Sequence, residues 1–206
     1  MYNISKIAEV IDGKLYANRD KNFCIKDLAY DSRKVQGTEN ALFFALVTDK
    51  NNGHKYIEEL HQWDVHNFVV DNSFTDIDRF PQANFIVVED TLVALQKLAK
   101  YHRKQFAIPV IGITGSNGKT AVKEWLFQLL CPDNKIVYTP NSFNSQIGVP
   151  ISVWNMSKDD QLGIFEAGIS QPNEMNALKE INEPLSEFLP ISARHTMSLL
   201  WIFGRK

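Results

Sequence analysis

Apolar and polar positions along this chain change period several times, and each change marks an element. In residues 3–12, Ile4, Ile7, Ala8 and Ile11 recur at helical spacing, and Gly13 suits the stop. Phe23 to Leu28 and Ala41 to Val47 are apolar enough to read as strands, and Tyr56 to Trp63 reads as a helix. Asn67-Phe68-Val69-Val70 and Phe85-Ile86-Val87-Val88 are short continuous runs of the kind found in buried strands. Thr91 is placed to cap a helix whose Leu92, Leu95, Leu98 and Ala99 share a face. That helix ends near Phe106, and Pro109 follows, so a domain boundary is expected at about 104–108.

Beyond it, strand and helix alternate. The apolar run 108–113 leads through a glycine turn into Val122 to Leu130, which reads as a helix. A strand follows at Lys135 to Thr139, then the turn-rich Pro140-Asn141-Ser142-Phe143-Asn144-Ser145. A helix containing Val149 to Trp154, a strand at Leu162 to Ala167 and a helix at Glu174 to Ile181 complete the pattern. Such alternation predicts an α/β fold, with a parallel sheet covered by helices on both faces. Ligands of such sheets bind beyond the carboxyl ends of the strands, where Thr114 to Thr120 and Glu166 both fall.

The turn itself carries chemistry. Gly112-Ile113-Thr114-Gly115-Ser116-Asn117-Gly118-Lys119-Thr120 joins a buried strand to a helix, as a phosphate-binding loop does. Backbone N–H groups of such a loop cradle phosphate oxygens, and the helix adds about half a positive charge at its N-terminus. Lys119 is placed to reach the β- and γ-phosphates of ATP, and the Thr120 hydroxyl to ligate Mg²⁺. The common spacing asks for glycine at position 113; here Ile113 stands there and Gly112 precedes it. Glu166 ends an apolar strand, where a buried carboxylate needs a partner. A Mg²⁺ shared with Thr120 is one candidate, and an ordinary salt bridge is the other.

Charge and composition narrow the classes. The 206 residues carry a net charge of −2, which argues against an electrostatic nucleic-acid binder. No apolar run reaches a membrane-spanning length, and the N-terminus lacks the order of a signal peptide. Cys24 and Cys131 lie in unrelated contexts and are expected as buried free thiols of a cytoplasmic protein. His54, His61 and His66 are spaced by seven and five residues, which fits no helical metal pair. They are expected to be surface or internally satisfied histidines. His102 lies among cations near a helix C-terminus. Asp31-Ser32-Arg33 is by spacing a surface turn with an i-to-i+2 ion pair, although an arginine there could also grip a diphosphate or carboxylate.

Three segments together resemble the Mur ligase family. They are 112–124, including Val122-Lys123-Glu124; the Asn-rich 141–150; and Phe165-Glu166-Ala167-Gly168-Ile169-Ser170-Gln171-Pro172-Asn173-Glu174-Met175. Asp31-Ser32-Arg33, Leu42-Phe43-Phe44-Ala45 and Asn52-Gly53-His54 resemble the family's UDP-sugar domain. The resemblance implies a small mixed α/β UDP-MurNAc-binding domain at 1–106, and part of a P-loop ATPase domain at 107–184. It is strongest to members that join D-Ala-D-Ala to UDP-MurNAc-tripeptide, and the Gln171-Pro172 style resembles members fused to an alanine racemase. It implies ATP and Mg²⁺ as cofactors, and Gly115, Ser116, Asn117, Gly118, Lys119, Thr120, Asn141 and Asn144 as nucleotide contacts. Thr120 and Glu166 become metal ligands, Lys119 and Glu166 catalytic groups, and Ser32 and Arg33 contacts to the UDP-sugar. ATP would convert the tripeptide carboxylate to an acyl phosphate, which the amine then attacks.

After Pro184 the resemblance stops. Read two bases later, a permitted coding string for 185–197 yields Ile-Gly-Val-Phe-Thr-Asn-Ile-Gly-Glu-Ala-His-Asp, which is similar to the family's next segment. We therefore expect 185–206 to be a frame-shifted tail, His195 to be an accident of frame, and the apolar 199–203 to lack a face to bury. Such a chain is expected to expose strand edges, to aggregate and not to ligate. The alternatives are a MurE-like ligase, a folylpolyglutamate synthase-like ligase, and a non-catalytic UDP-sugar or nucleotide binder.

Overall fold

Period-2 and continuous apolar runs assemble into two main sheets, with two two-stranded ones beside them, in the computed structural model. It describes residues 1–20, 22–35, 39–48, 51–114, 117–168 and 199–203. The chain divides into the units Met1–Leu98 and Ala99–Lys206.

The first unit runs β1 (Tyr2–Asn3), α1 (Ile4–Val10), β2 (Lys14–Ala17), β3 (Cys24–Ile25), β4 (Asp27–Ala29), β5 (Ala41–Phe44), β6 (Val47–Thr48), β7 (Asn51–Asn52), α2 (Ile57–Gln62), β8 (Asn67–Asp71) and β9 (Asn84–Val88), then enters α3 (Thr91–Arg103). Its main sheet has the order β2-β9-β8-β5-β4. All neighbours are parallel except β2, which pairs antiparallel with β9. The periodicity does not reveal β2: Lys14-Leu15-Tyr16-Ala17 is short and half-buried, and pairing with β9 makes it a strand. Asn3 caps α1 by accepting from the Lys6 amide at 2.7 Å. The left-handed residue that ends α1 is Asp12 (φ 54°) rather than Gly13. The cap of α3 is likewise Asp90, not Thr91: Asp90 Oδ1 accepts from the amides of Leu92 and Val93 at 2.7 and 2.9 Å, and Thr91 is the first helical residue.

Aromatic packing holds this unit. Phe43, Phe68 and Phe85 are fully buried beside Phe80. Phe68 and Phe74 stack on Phe85 with centroids 5.3 and 5.5 Å away. Each such side chain removed from water contributes about 1.5–3 kcal/mol.

The second unit takes the last turn of α3, whose Ala99 packs with Val110, Val149 and Phe165. The division thus falls inside a helix that the sequence reading carries whole to 106. After α3 come β10 (Val110–Thr114), α4 (Lys119–Leu130), β11 (Ile136–Tyr138), α5 (Gly148–Trp154), β12 (Leu162–Glu166) and β13 (Leu199–Phe203). The sheet order is β11-β12-β10-β13. The first three strands are parallel, as the alternation predicts. Side chains alternate across β10. Ile111 and Ile113 meet Val122, Leu126 and Leu130 of α4, while Val110 faces the cluster of Val149 and Val153 from α5.

Residues 199–203 form β13, paired antiparallel along all of β10 from Val110↔Phe203 to Thr114↔Leu199, which makes them the edge strand of this sheet; the expectation about burial of their side chains lies outside what is described. One expectation changes here. Cys24 and Cys131 are exposed free thiols rather than buried ones, because one sits on a two-residue strand and the other just past the end of α4. The helix expected at 174–181 lies outside the described residues. Among the described residues no helix is long and apolar enough to cross a membrane.

Candidate active site

The parallel register of β10 and β12 pairs Ile113 with Glu166, so both strands end at one level. There the chain leaves β10 and enters α4 through Gly118, whose φ of 76° is left-handed and suits glycine. Lys119 and Thr120 are the first residues of α4. Gly115 and Ser116 lie outside the described residues; Asn117 and Gly118 are exposed, and Lys119 and Thr120 half-buried.

Glu166 is the centre of this site and is 1% exposed. The Thr120 hydroxyl donates to its Oε2 at 2.9 Å, and Asn144 Nδ2 donates to its Oε1 at 2.7 Å. Its own amide donates to Thr139 Oγ1 at 2.9 Å. Three segments therefore converge on one residue: the start of α4 and the Asn-rich loop on its carboxylate, and the residue just past β11 on its backbone amide. Gly168 lies close behind, where its amide donates to the Asn144 carbonyl at 2.7 Å and a Cβ would stand 3.0 Å from Asn144 Cγ. Of the two sequence readings of Glu166, a salt-bridged edge residue does not describe this environment. Among the described residues its carboxylate has a hydroxyl and an amide as partners.

Two participants are not evident from the motif. Thr139 orients Glu166 through its hydroxyl. Lys123 is fully buried on α4, and its Nζ donates to the carbonyls of Thr139 (2.8 Å) and Asn141. Helical spacing carries a signal for Lys123, since it stands three residues beyond Thr120 on the same face. Nothing local marks Thr139.

The donor set suits a small hard cation. Thr120 and Glu166 offer hydroxyl and carboxylate oxygens, and Mg²⁺ is held by one or two such groups together with phosphates and water. No cluster of three or more His, Cys, Asp or Glu side chains forms among the described residues, so soft or all-protein metal cages find no support there.

The first unit holds a cavity of about 510 Å³ lined by Tyr30, Ser32, Arg33, Asn51, Tyr56 and Trp63, among others. Both expected sugar contacts are in it. Arg33 also forms the ion pair that spacing suggests, donating from Nε and Nη2 to the Asp31 carboxylate at 2.9 and 2.8 Å. That pairing holds the Asp31 carboxyl below its ordinary pKa, while burial and the nearby Asp31 charge raise the Tyr30 phenol. The histidines depart from expectation. His54, His61 and His66 each bury a ring nitrogen that finds no hydrogen-bond partner among the described residues, and the His61 and His66 rings meet edge-on at 5.2 Å. Burial lowers the pKa of His54 and His66. Spacing in sequence could not show this, because β8 and α2 bring the rings together only in the fold.

Known proteins resemble this chain in sequence and fold. Residues 113–196 match the Mur ligase middle domain. The chain is 32% identical over 183 residues to UDP-N-acetylmuramoyl-tripeptide–D-alanyl-D-alanine ligase of Bacillus subtilis, a match covering 88% of this chain and 39% of that protein. It superposes on a crystal structure of MurF from Acinetobacter baumannii with a TM-score of 0.79 at 24% identity, over 89% of this chain and 39% of the other. A second likeness is to the MurF ligase of Thermotoga maritima in complex with ADP, with a TM-score of 0.64 at 28% identity over 76% of this chain and 35% of that one. The chain thus spans about two fifths of the length of the relatives it matches.

Proposed function

We propose that this chain belongs to the Mur ligase family and is the UDP-sugar- and ATP-binding part of a ligase joining D-Ala-D-Ala to UDP-MurNAc-tripeptide. The observation that carries the reading is the meeting of Thr120, Asn144 and Glu166 at the C-terminal edge of a parallel sheet, directly behind the start of α4.

Each residue has a role in this reading. Backbone amides at the start of α4 and the helix dipole attract the phosphates of ATP. Lys119 offsets negative charge on the phosphoryl group as it passes to the tripeptide carboxylate. Thr120 and Glu166 would hold Mg²⁺, which supplies charge neutralisation on the phosphates when bound. Asn144 and Thr139 keep Glu166 aimed at that position. In the first unit, Ser32 and Arg33 contact the diphosphate of the UDP-sugar, with Tyr56 and Trp63 offering flat faces for its rings. Nε and Nη2 of Arg33 hold Asp31, which leaves its Nη1 donors for that contact. The family match runs on to residue 196, so of the expected frame-shifted tail only 197–206 lies beyond it.

Calorimetric titration tests the proposal. The 206-residue chain should bind ADP in the presence of Mg²⁺, and separately UDP-MurNAc-tripeptide. Lys119→Ala should abolish the first and leave the second intact. Absence of ADP binding by the unsubstituted chain would overturn the nucleotide reading. Binding of the UDP-sugar alone would favour the non-catalytic alternative, which the first-unit cavity supports.

A further inference from the structure

Lys123 is a fully buried ammonium that the proposed chemistry leaves unused. A buried cation costs several kcal/mol unless it is paired and hydrogen-bonded. Here the carbonyls of Thr139 and Asn141 accept hydrogen bonds from it, and Glu124 Oε1 pairs with its charge at 3.1 Å. The Tyr138 ring lies 5.7 Å away. Packing alone would be served by leucine or methionine, without the desolvation cost. What the ammonium adds is a hold on two main-chain carbonyls.

Those carbonyls lie where β11 ends and the Asn-rich loop begins. Asn141 has a φ of 50°, a left-handed conformation uncommon outside glycine though tolerated by asparagine. The turn it makes sends the chain back toward Glu166, where Asn144 donates to the carboxylate. The Glu166 amide donates to Thr139, whose carbonyl Lys123 grips. The loop is therefore tied at its start to α4 by Lys123 and at its far end to β12 through Glu166. Thr120, three residues before Lys123 on the same helix, touches that same carboxylate.

We infer that Lys123 is a positioning residue that ties the Asn-rich loop to the nucleotide helix and thereby holds Asn144 against Glu166 before any ligand arrives. Its bearing on Mg²⁺ rests on the nucleotide reading above, whereas its hold on the loop does not.

Hydrogen–deuterium exchange and calorimetry on the full chain separate the two. Lys123→Met keeps most of the unbranched side chain and removes its donors. Amides of 141–148 should then exchange at least about tenfold faster while those of β10 and β12 keep their protection. Affinity for ADP with Mg²⁺ should fall by about 10-fold or more, the usual size of an outer-shell effect on metal affinity, with ADP affinity in EDTA unchanged. Unaltered loop exchange overturns the inference. An equal loss of ADP affinity with and without Mg²⁺ also overturns it, since a merely structural role predicts that result. If the unsubstituted chain binds no ADP, the nucleotide reading fails, and loop exchange still decides the positioning. If Lys123→Met does not fold, NMR of the ¹⁵N-lysine-labelled unsubstituted chain replaces it. A slowly exchanging ammonium with contacts to the Tyr138 ring is expected, and finding none overturns the inference.

Discussion

Glu166 has both carboxylate oxygens occupied by side chains of other segments, so its behaviour on substitution can be argued atom by atom. Replacement by glutamine removes the negative charge and turns one Oε into an NH₂ group. Either Asn144 Nδ2 or the Thr120 hydroxyl then faces a donor. The hydroxyl can rotate and accept instead, so the fold should lose only about 1–3 kcal/mol, the cost of one disturbed buried hydrogen bond. Metal binding should suffer more, because a neutral amide is a poor Mg²⁺ ligand. ADP affinity of Glu166→Gln is expected to lose its dependence on Mg²⁺; a dependence equal to that of the unsubstituted chain would remove Glu166 from the metal site. Arg33 shows how a residue can satisfy two readings. Its ion pair with Asp31 was legible from spacing, and its place in a cavity with Tyr56 and Trp63 was not. The latter needs α2 to fold back beside the 30–33 segment.

At the scale of elements, the aromatic cluster of the first unit has its centre on β9. Phe85 contacts Phe68, Phe74 and Phe80, and joins strand to strand and strand to loop. Phe85→Ala should cost about 3–5 kcal/mol, read as a lower urea midpoint, because rings held on three sides cannot collapse into the space. A loss under about 1 kcal/mol would mean that the cluster relaxes and is not a packed core. The helices teach a complementary lesson. α1 and α3 were legible as elements from their apolar faces, but Asp12 and Asp90 took the roles that Gly13 and Thr91 seemed to hold. Cap identity depends on where the first helical φ falls, and that position shifts by a residue with packing. β2 lay beyond reach for a related reason, since an edge strand of four residues has too little pattern of its own.

For the whole molecule, three histidines give stability a shared dependence on pH. Burial lowers the pKa of His54, His66 and His102, so each is neutral in the folded chain near pH 7. His102 Nε2 also faces the Met156 carbonyl at 3.1 Å, which places a proton on that nitrogen. Below about pH 6.5 the unfolded chain takes up protons that the folded chain resists. Stability is therefore complete above that pH and is lost as pH falls toward the depressed folded values. A second loss begins below the ordinary carboxylate range, where Asp31 and Asp159, held low by Arg33 and Lys135, become protonated. The urea midpoint should thus be lower at pH 5 than at pH 7.5. An unchanged midpoint would show that water or motion solvates these rings in the fold.

The sequence by itself determined the α/β class, the order of the P-loop strand and helix, and the identity of Lys119, Thr120 and Glu166 as the residues to watch. These follow from local periodicity and from spacing within short segments, which survive without knowledge of the fold. The tertiary structure alone decided that Asn144 and Thr139 serve Glu166, that Lys123 is buried against two carbonyls, that His61 meets His66, and that residues 199–203 lie along β10. Each of these joins side chains or strands far apart in sequence or on different elements. Such contacts arise from sheet register and from the direction in which a loop turns, and neither leaves a periodic trace in the chain.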